Sequence, residues 1–177
     1  TITDNESITI YASPEANFVY EDTCFSQNTI FTDSSQITPP FGATISNWNW
    51  QFGDGDSSNL QNPNHTYSSS GPFNITLTVT DQNGCIDDTI QPIIIPPLPT
   101  AQFTANTPIC LGDTVTFTDL SSFDPVYINS IVSWSWDFGD GSGSSTAQNP
   151  SYVYQSPGTY TVVLTVTDDN GCQDNVS

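Results

Sequence analysis

The sequence predicts an all-β protein built from two tandem β-sandwich domains, and three observations carry that expectation. Segments rich in Thr, Val, Ile, Phe and Tyr alternate with turn formers, 13 Pro and 11 Gly among 177 residues, which is the punctuation of short strands. No long segment spaces its apolar residues at the helical period, and no run of about 18 apolar residues marks a membrane span. The chain also matches itself when shifted by 86 or 87 positions, and two copies of fewer than 90 residues each suit small sandwich domains.

The repeat is dense in matched residues. Cys24 falls on Cys110, Phe31-Thr32-Asp33 on Phe117-Thr118-Asp119, and Trp48-x-Trp50-x-Phe52-Gly53-Asp54-Gly55 on Trp134-x-Trp136-x-Phe138-Gly139-Asp140-Gly141. After a one-residue insertion, Asn62-Pro63 answers Asn149-Pro150, Tyr67 answers Tyr154 and Gly71 answers Gly158. Leu77 to Asp81 answers Leu164 to Asp168, and Asn83-Gly84-Cys85 answers Asn170-Gly171-Cys172. The expected division is an N-terminal extra strand in 1–11, a first domain in 12–97 and a second in 98–177.

Each copy displays its strands by period-two alternation. Trp48, Trp50 and Phe52 share one face, with Asn47, Asn49 and Gln51 on the other, and Trp134, Trp136 and Phe138 repeat this. Phe73, Ile75, Leu77 and Val79, and in the second copy Tyr160, Val162, Leu164 and Val166, form a second inward set. Side chains at this period build a core, so the Trp pairs are read as packing residues. Gly-Asp-Gly at 53–55 and 139–141 ends a strand and turns the chain, Gly supplying positive φ and Asp bonding its own backbone.

Four cysteines, Cys24, Cys85, Cys110 and Cys172, allow three connectivities, and none lies in a C-x-x-C pair. Two equivalent domains should close equivalently, which predicts Cys24 with Cys85 and Cys110 with Cys172. A loop of that length would contribute about 4 kcal/mol. Structural disulfides point to an oxidising compartment, hence an extracellular or cell-surface location.

The motif Trp-x-Phe-Gly-Asp-Gly, followed by Asn-Pro, Tyr, a turn Gly, Leu-Thr-Val-Thr-Asp and Asn-Gly-Cys, resembles the polycystic-kidney-disease (PKD) domain, and it recurs twice over most of the chain. The resemblance implies an immunoglobulin-like sandwich of about seven strands. It also implies an extracellular setting as a spacer, adhesin, surface-layer part or accessory module of a secreted hydrolase. His65 stands where many members carry His, and Tyr152 replaces it in the second copy, which marks the position as a packing site.

Charge narrows the partners. Nineteen Asp and Glu face no Lys and no Arg, for a net charge of -19. Nucleic acid and anionic membrane surfaces are therefore poor partners, because both are held by cationic side chains, and the expectation is no nucleic acid and no membrane insertion. The acidic surface solubilises the chain or is bridged by cations such as calcium, for which Asp54, Asp56 and Asp140 offer hard oxygen ligands. Ser142 replaces Asp56 in the second copy. Catalysis finds no constellation: His65 is the single His, and the paired carboxylates sit in turns and strand ends. The expectation is a protein that is not an enzyme and has no cofactor beyond calcium.

Thr89 and Thr114 each follow Asp and precede an aliphatic residue, resembling an acceptor of one bacterial O-glycosylation system, and N-x-Ser/Thr occurs at Asn5, Asn64, Asn74 and Asn175. Between the domains, Pro96-Pro97-Leu98-Pro99 would form a stiff connector of about 12 Å, giving a rod. The second copy stops before the counterpart of Gln91 to Ile95, so its last strand is expected to be missing. Ser7 to Tyr11 reads as a spare strand, with Ile8 and Ile10 as its apolar positions.

Two functions follow. The first is an extracellular structural or adhesive repeat of a fibre, stalk or filament, polymerising head-to-tail by donating that strand or joined to flanking repeats, with glycans or extracellular matrix as further partners. The alternative is an accessory binding or spacer module of a secreted enzyme that degrades polysaccharide or protein.

Overall fold

A computed structural model describes residues 8–21, 23–37, 43–127 and 129–177. The chain forms two units, Thr1–Ile95 and Pro96–Ser177. Every regular element among the described residues is a strand, and no helix there is long and apolar enough to cross a membrane.

The first unit comprises β1 (Pro14–Glu15), β2 (Phe18–Tyr20), β3 (Asn28–Asp33), β4 (Gln36–Ile37), β5 (Ile45–Gln51), β6 (Ser57–Ser58), β7 (Asn64–Thr66), β8 (Gly71–Asp81) and β9 (Ile86–Ile95). Its sheets have the orders β1-β4, β2-β3-β7 and β6-β5-β8-β9. The second unit comprises β10 (Phe103–Ala105), β11 (Val115–Asp119), β12 (Ile131–Asp137), β13 (Ser144–Ser145), β14 (Ser151–Tyr152), β15 (Val163–Asp168) and β16 (Gln173–Val176). Its sheets, β10-β11-β14 and β13-β12-β15-β16, repeat the larger two of the first.

The alternation read from sequence is the packing seen. Trp50, Phe52, Ile75, Leu77 and Val79 are buried with Phe18, Phe31, Tyr67, Ile93 and Ile95 in the first core. Trp136, Phe138, Leu164 and Val166 are buried with Val115 and Phe117 in the second. Phe31 lies 5.6 Å from Trp50 and Phe18 lies 5.1 Å from it between ring centroids. Such aromatic pairs add about 1 kcal/mol beyond the area they bury. Trp48 and Trp134, at the rim of each core, are half-buried.

Polar members of the motif secure the backbone. Asn62 Oδ1 accepts from Asp33 N at 2.8 Å and Pro63 O accepts from Phe31 N at 2.9 Å, tying the Asn-Pro segment to β3. Asn149 and Pro150 do the same for Asp119 and Phe117. Asp81 and Asp168 are buried at 2% exposure. Their Oδ1 atoms accept from the N–H groups of Cys85 and Cys172, at 2.8 Å each, closing the turns after β8 and β15.

Three expectations need correction or refinement. The second copy's last strand is present in part: β16 pairs with β15 from Leu164↔Val176 to Thr167↔Gln173. In the first unit β9 runs on to Ile95, and β8 accordingly begins at Gly71. In the second unit β15 begins only at Val163, because residues 158–162 have no ladder partner. Residues 8–13 form no strand, and Ser7, like the rest of 1–7, lies outside the described residues.

The third concerns the cysteines. Cys24 and Cys172 are in disulfide linkage, while Cys85 and Cys110 carry free thiols. Neither within-domain pair, Cys24–Cys85 or Cys110–Cys172, is formed. The cause is the length of β3 and β11. Cys24 lies in the turn that leads into β3, its carbonyl accepting from Gln27 N at 3.0 Å. Nine residues after Cys24, at the far end of β3, Asp33 meets Trp48, which pairs with Val79 beside the turn that holds Cys85. A strand of six residues covers about 20 Å, and a disulfide needs Cα atoms within about 7 Å.

Candidate functional site

Sequence features with chemical potential collect at one end of each unit, around the turn after β5 and after β12. Gly53 has φ +83° and Gly139 +77°, and a Cβ on Gly53 would stand 2.8 Å from the carbonyl oxygen of Asn74. Gly139 is packed still more tightly against Thr161. Only glycine fits both the backbone angle and the approach, so the Asp that follows is fixed in place.

In the first unit, Asp54 Oδ2 lies 2.6 Å from His65 Nε2, and Asp54 Oδ1 accepts from Asp56 N at 3.0 Å. The imidazole stacks on Phe52, centroids 4.3 Å apart and rings 4° from parallel, and meets Tyr67 edge-on at 4.6 Å. Burial works to raise the Asp54 pKa, but the His65 and backbone hydrogen bonds prevail and hold it below its ordinary value. Tyr67 donates to Phe52 O at 3.2 Å, and burial, with the Asp54 charge, pushes its phenol well above its usual value.

The second unit rebuilds this arrangement without an imidazole. Tyr152 stacks on Phe138 at 4.3 Å and donates to Asp140 Oδ2 at 2.5 Å. Asp140 Oδ1 accepts from Ser142 N at 3.0 Å and Gly143 N at 2.8 Å. The Tyr152 hydroxyl, then the Gly143 and Ser142 amides, lower the Asp140 pKa to about 2. The packing role read for His65 and Tyr152 is therefore their geometry: a ring on the strand-end Phe and a polar tip on the turn Asp.

Of the three residues read as calcium ligands, Asp54 and Asp56 come together, with His65 as a third, their ligand atoms within 4.8 Å of one another. Asp140 lies in the other unit, where Ser142 stands beside it. An imidazole is foreign to calcium sites and at home with zinc or other transition metals. The donor set thus departs from the all-oxygen chemistry expected. Sequence reasoning did not foresee His65 as its third member, because the pairing of His65 with Asp54 is made across the fold and no sequence period reports it.

The remaining predicted residues are dispersed. Thr89 is half-buried in β9 opposite Leu77, and Thr114 is exposed just before β11. Ile8 and Ile10 are 88% and 79% exposed. A groove of about 850 Å³ opens in the second unit, with Phe103, Val115, Phe117, Tyr160 and Val162 in its lining. It lies beside residues 158–162, where the first unit places Ile93 and Ile95 against β8.

Comparison with known proteins places this geometry. The PKD domain family matches residues 11–93 and again 97–177. A microbial collagenase of Vibrio alginolyticus is 47% identical over 73 residues, 41% of this chain and 9% of the collagenase. The pre-pro-metalloprotease PrtV of Vibrio cholerae is 52% identical over 44 residues, 25% of this chain and 5% of that protein. The chain thus spans less than a tenth of these relatives. The solved PKD1 domain of PrtV is 28% identical, covering 47% of this chain and 96% of that domain, with a TM-score of 0.43. With two matches that together cover nearly its whole length, the chain belongs to the PKD domain family.

Proposed function

We propose that this chain is a non-catalytic accessory segment of a secreted protein-degrading enzyme, acting as a spacer outside the cell. The observation that supports this most is the similarity of its PKD repeats to parts of collagenases and of a metalloprotease. The site chemistry agrees with a spacer. The single imidazole is committed to Asp54 and to two rings, and the net charge of -19 without Lys or Arg suits a chain that must stay soluble and resist trypsin-like proteases. Antibodies against this chain provide the test. They should capture, from the culture medium of the source organism, a larger protein that degrades protein substrates.

A second reading, a subunit of a filament or surface fibre, draws on the groove of the second unit. Ile8 and Ile10, exposed and alternate, have the pattern of Ile93 and Ile95, so a strand from a second copy could occupy it. Removal of residues 1–11 should then abolish polymers in concentrated solution. Polymers that persist without those residues would rule strand donation out.

A further inference from the structure

The second unit leaves open a place that the first unit fills with its own chain. In the first unit β9 continues along β8, with Ile93 opposite Phe73 and Ile95 opposite Gly71. Both isoleucines are buried, in one core with Phe18, Tyr67 and Ile75. In the second unit Gly158, Tyr160 and Val162 stand where Gly71, Phe73 and Ile75 stand. Tyr160 stacks on Tyr154 at 4.1 Å as Phe73 stacks on Tyr67 at 4.3 Å. Yet residues 158–162 have no ladder partner. Phe103, Tyr154 and Val162, the counterparts of Phe18, Tyr67 and Ile75, are only half-buried and line the groove. The first unit thus shows what fits there: an extended strand with isoleucines two residues apart, both on one face.

The chain carries another such segment. Ahead of the first cysteine of each repeat the copies align at 85 positions, with Pro14 on Pro99, Ala16 on Ala101 and Phe18 on Phe103. Backbone contacts fix this frame, because Ala16 N donates to Asp87 Oδ2 and Ala101 N to Asp174 Oδ2, both at 2.8 Å. In the same frame Ile8 falls on Ile93 and Ile10 on Ile95. Residues 8–13 form no strand, and both isoleucines are exposed. The segment holds no charged residue in a chain of net charge -19, so it can enter an apolar groove without burying a carboxylate.

We propose that Ile8 to Tyr11 of one copy docks in the second-unit groove of another copy as a strand antiparallel to residues 158–162, with Ile10 opposite Gly158 and Ile8 opposite Tyr160. This docking rests on the filament reading, to which it adds the partner segment and its register. The first unit's own slot is filled by β9, so donor and acceptor are different surfaces and the contact is heterologous.

The test uses the whole chain, in salt that screens repulsion between copies, and a fluorescein-labelled peptide of residues 6–14. A donor-blocked chain, Ile8→Asp with Ile10→Asp, changes exposed residues outside every strand and keeps the groove, so it should bind the peptide saturably. Adding Tyr160→Asp to that chain should weaken binding at least tenfold. A peptide with Ile8→Asp and Ile10→Asp should lose as much, which reads the contact even where Tyr160→Asp disturbs the fold seen by circular dichroism. Hydrogen exchange of the amides in 158–162 should slow when the peptide binds. In sedimentation at high concentration, the donor-blocked chain and a chain with Tyr160→Asp alone should each stay monomeric. Their mixture should form dimers that the peptide disperses.

Failure of the unsubstituted peptide to bind, slowing of exchange elsewhere instead, or a mixture that stays monomeric would overturn the docking. Association that survives both isoleucine changes would hand the groove to another occupant and overturn it too, while leaving the filament reading standing. Docking of the intact chain that ends in dimers or small rings would uphold it and sink the filament.

Discussion

Trp48 Nε1 donates a hydrogen bond to Asp33 Oδ2 at 2.8 Å, and Trp134 repeats it to Asp119 Oδ2 at 2.7 Å. The bond fastens one sheet to the other at the rim of each core, since Asp33 ends β3 and Trp48 lies in β5. Gln61 and Gln148 add a second donor to the same carboxylate oxygens, each at 3.1 Å. Burial alone would raise the Asp119 pKa, but hydrogen bonds from Ser121, Gln148 and Trp134 hold it below its ordinary value.

Trp134→Phe keeps most of the ring and deletes the donor. A hydrogen bond to a charged group contributes about 2 kcal/mol. Urea denaturation at pH 7 should show the second unit destabilised by about that amount. The Asp119 carboxyl, read by carbon NMR, should move up toward the ordinary range.

Much of this architecture is legible in the sequence. Strand faces, the repeat and the core followed from period-two alternation, since Trp50, Leu77 and their counterparts are buried as their spacing requires. The roles of Asn62-Pro63 and of Asp81 were not legible, because their partners lie across the sheet or in a buried turn that no periodicity reports. The cysteine pairing misled for a related reason. Equivalence of repeats does not bring the two cysteines of one repeat to the same end of its sandwich, and only strand direction reveals that.

Acid should weaken the turn of the second unit in a defined window. Asp140 has a folded pKa of about 2 against 3.8 ordinarily. A depressed carboxylate stabilises the fold in full above the unfolded value, and that contribution is lost as pH falls from about 4 through about 2. Tyr152→Phe removes the first cause of the shift, so the Asp140 titration midpoint should rise toward 3.8. An unchanged midpoint would assign the shift to the backbone amides instead.

Salt should stabilise the chain. Among the described residues the single pairing of a basic side chain with a carboxylate is His65–Asp54, against a net charge of -19, so screening relieves repulsion and removes little attraction. The melting temperature should climb steadily with sodium chloride at neutral pH. A falling melting temperature would mean that attraction dominates.

Metal dependence can be separated from screening at matched ionic strength. If the Asp54, Asp56 and His65 cluster takes a transition metal, zinc should raise the melting temperature of the intact chain beyond sodium or calcium, and His65→Phe should abolish the excess. The His65→Phe change keeps a ring on Phe52, so packing survives while the nitrogen ligand is lost.

Whether these PKD repeats belong to a protein-degrading enzyme is measured directly by immunodepletion of culture medium. Antibodies against this 19.2 kDa chain should remove protein-degrading activity, and the depleted species should run as a larger band that clears a gelatin gel. Activity left intact after complete removal of the antigen, with the antigen recovered as fibres that clear no gelatin, would contradict the enzyme assignment and favour the filament.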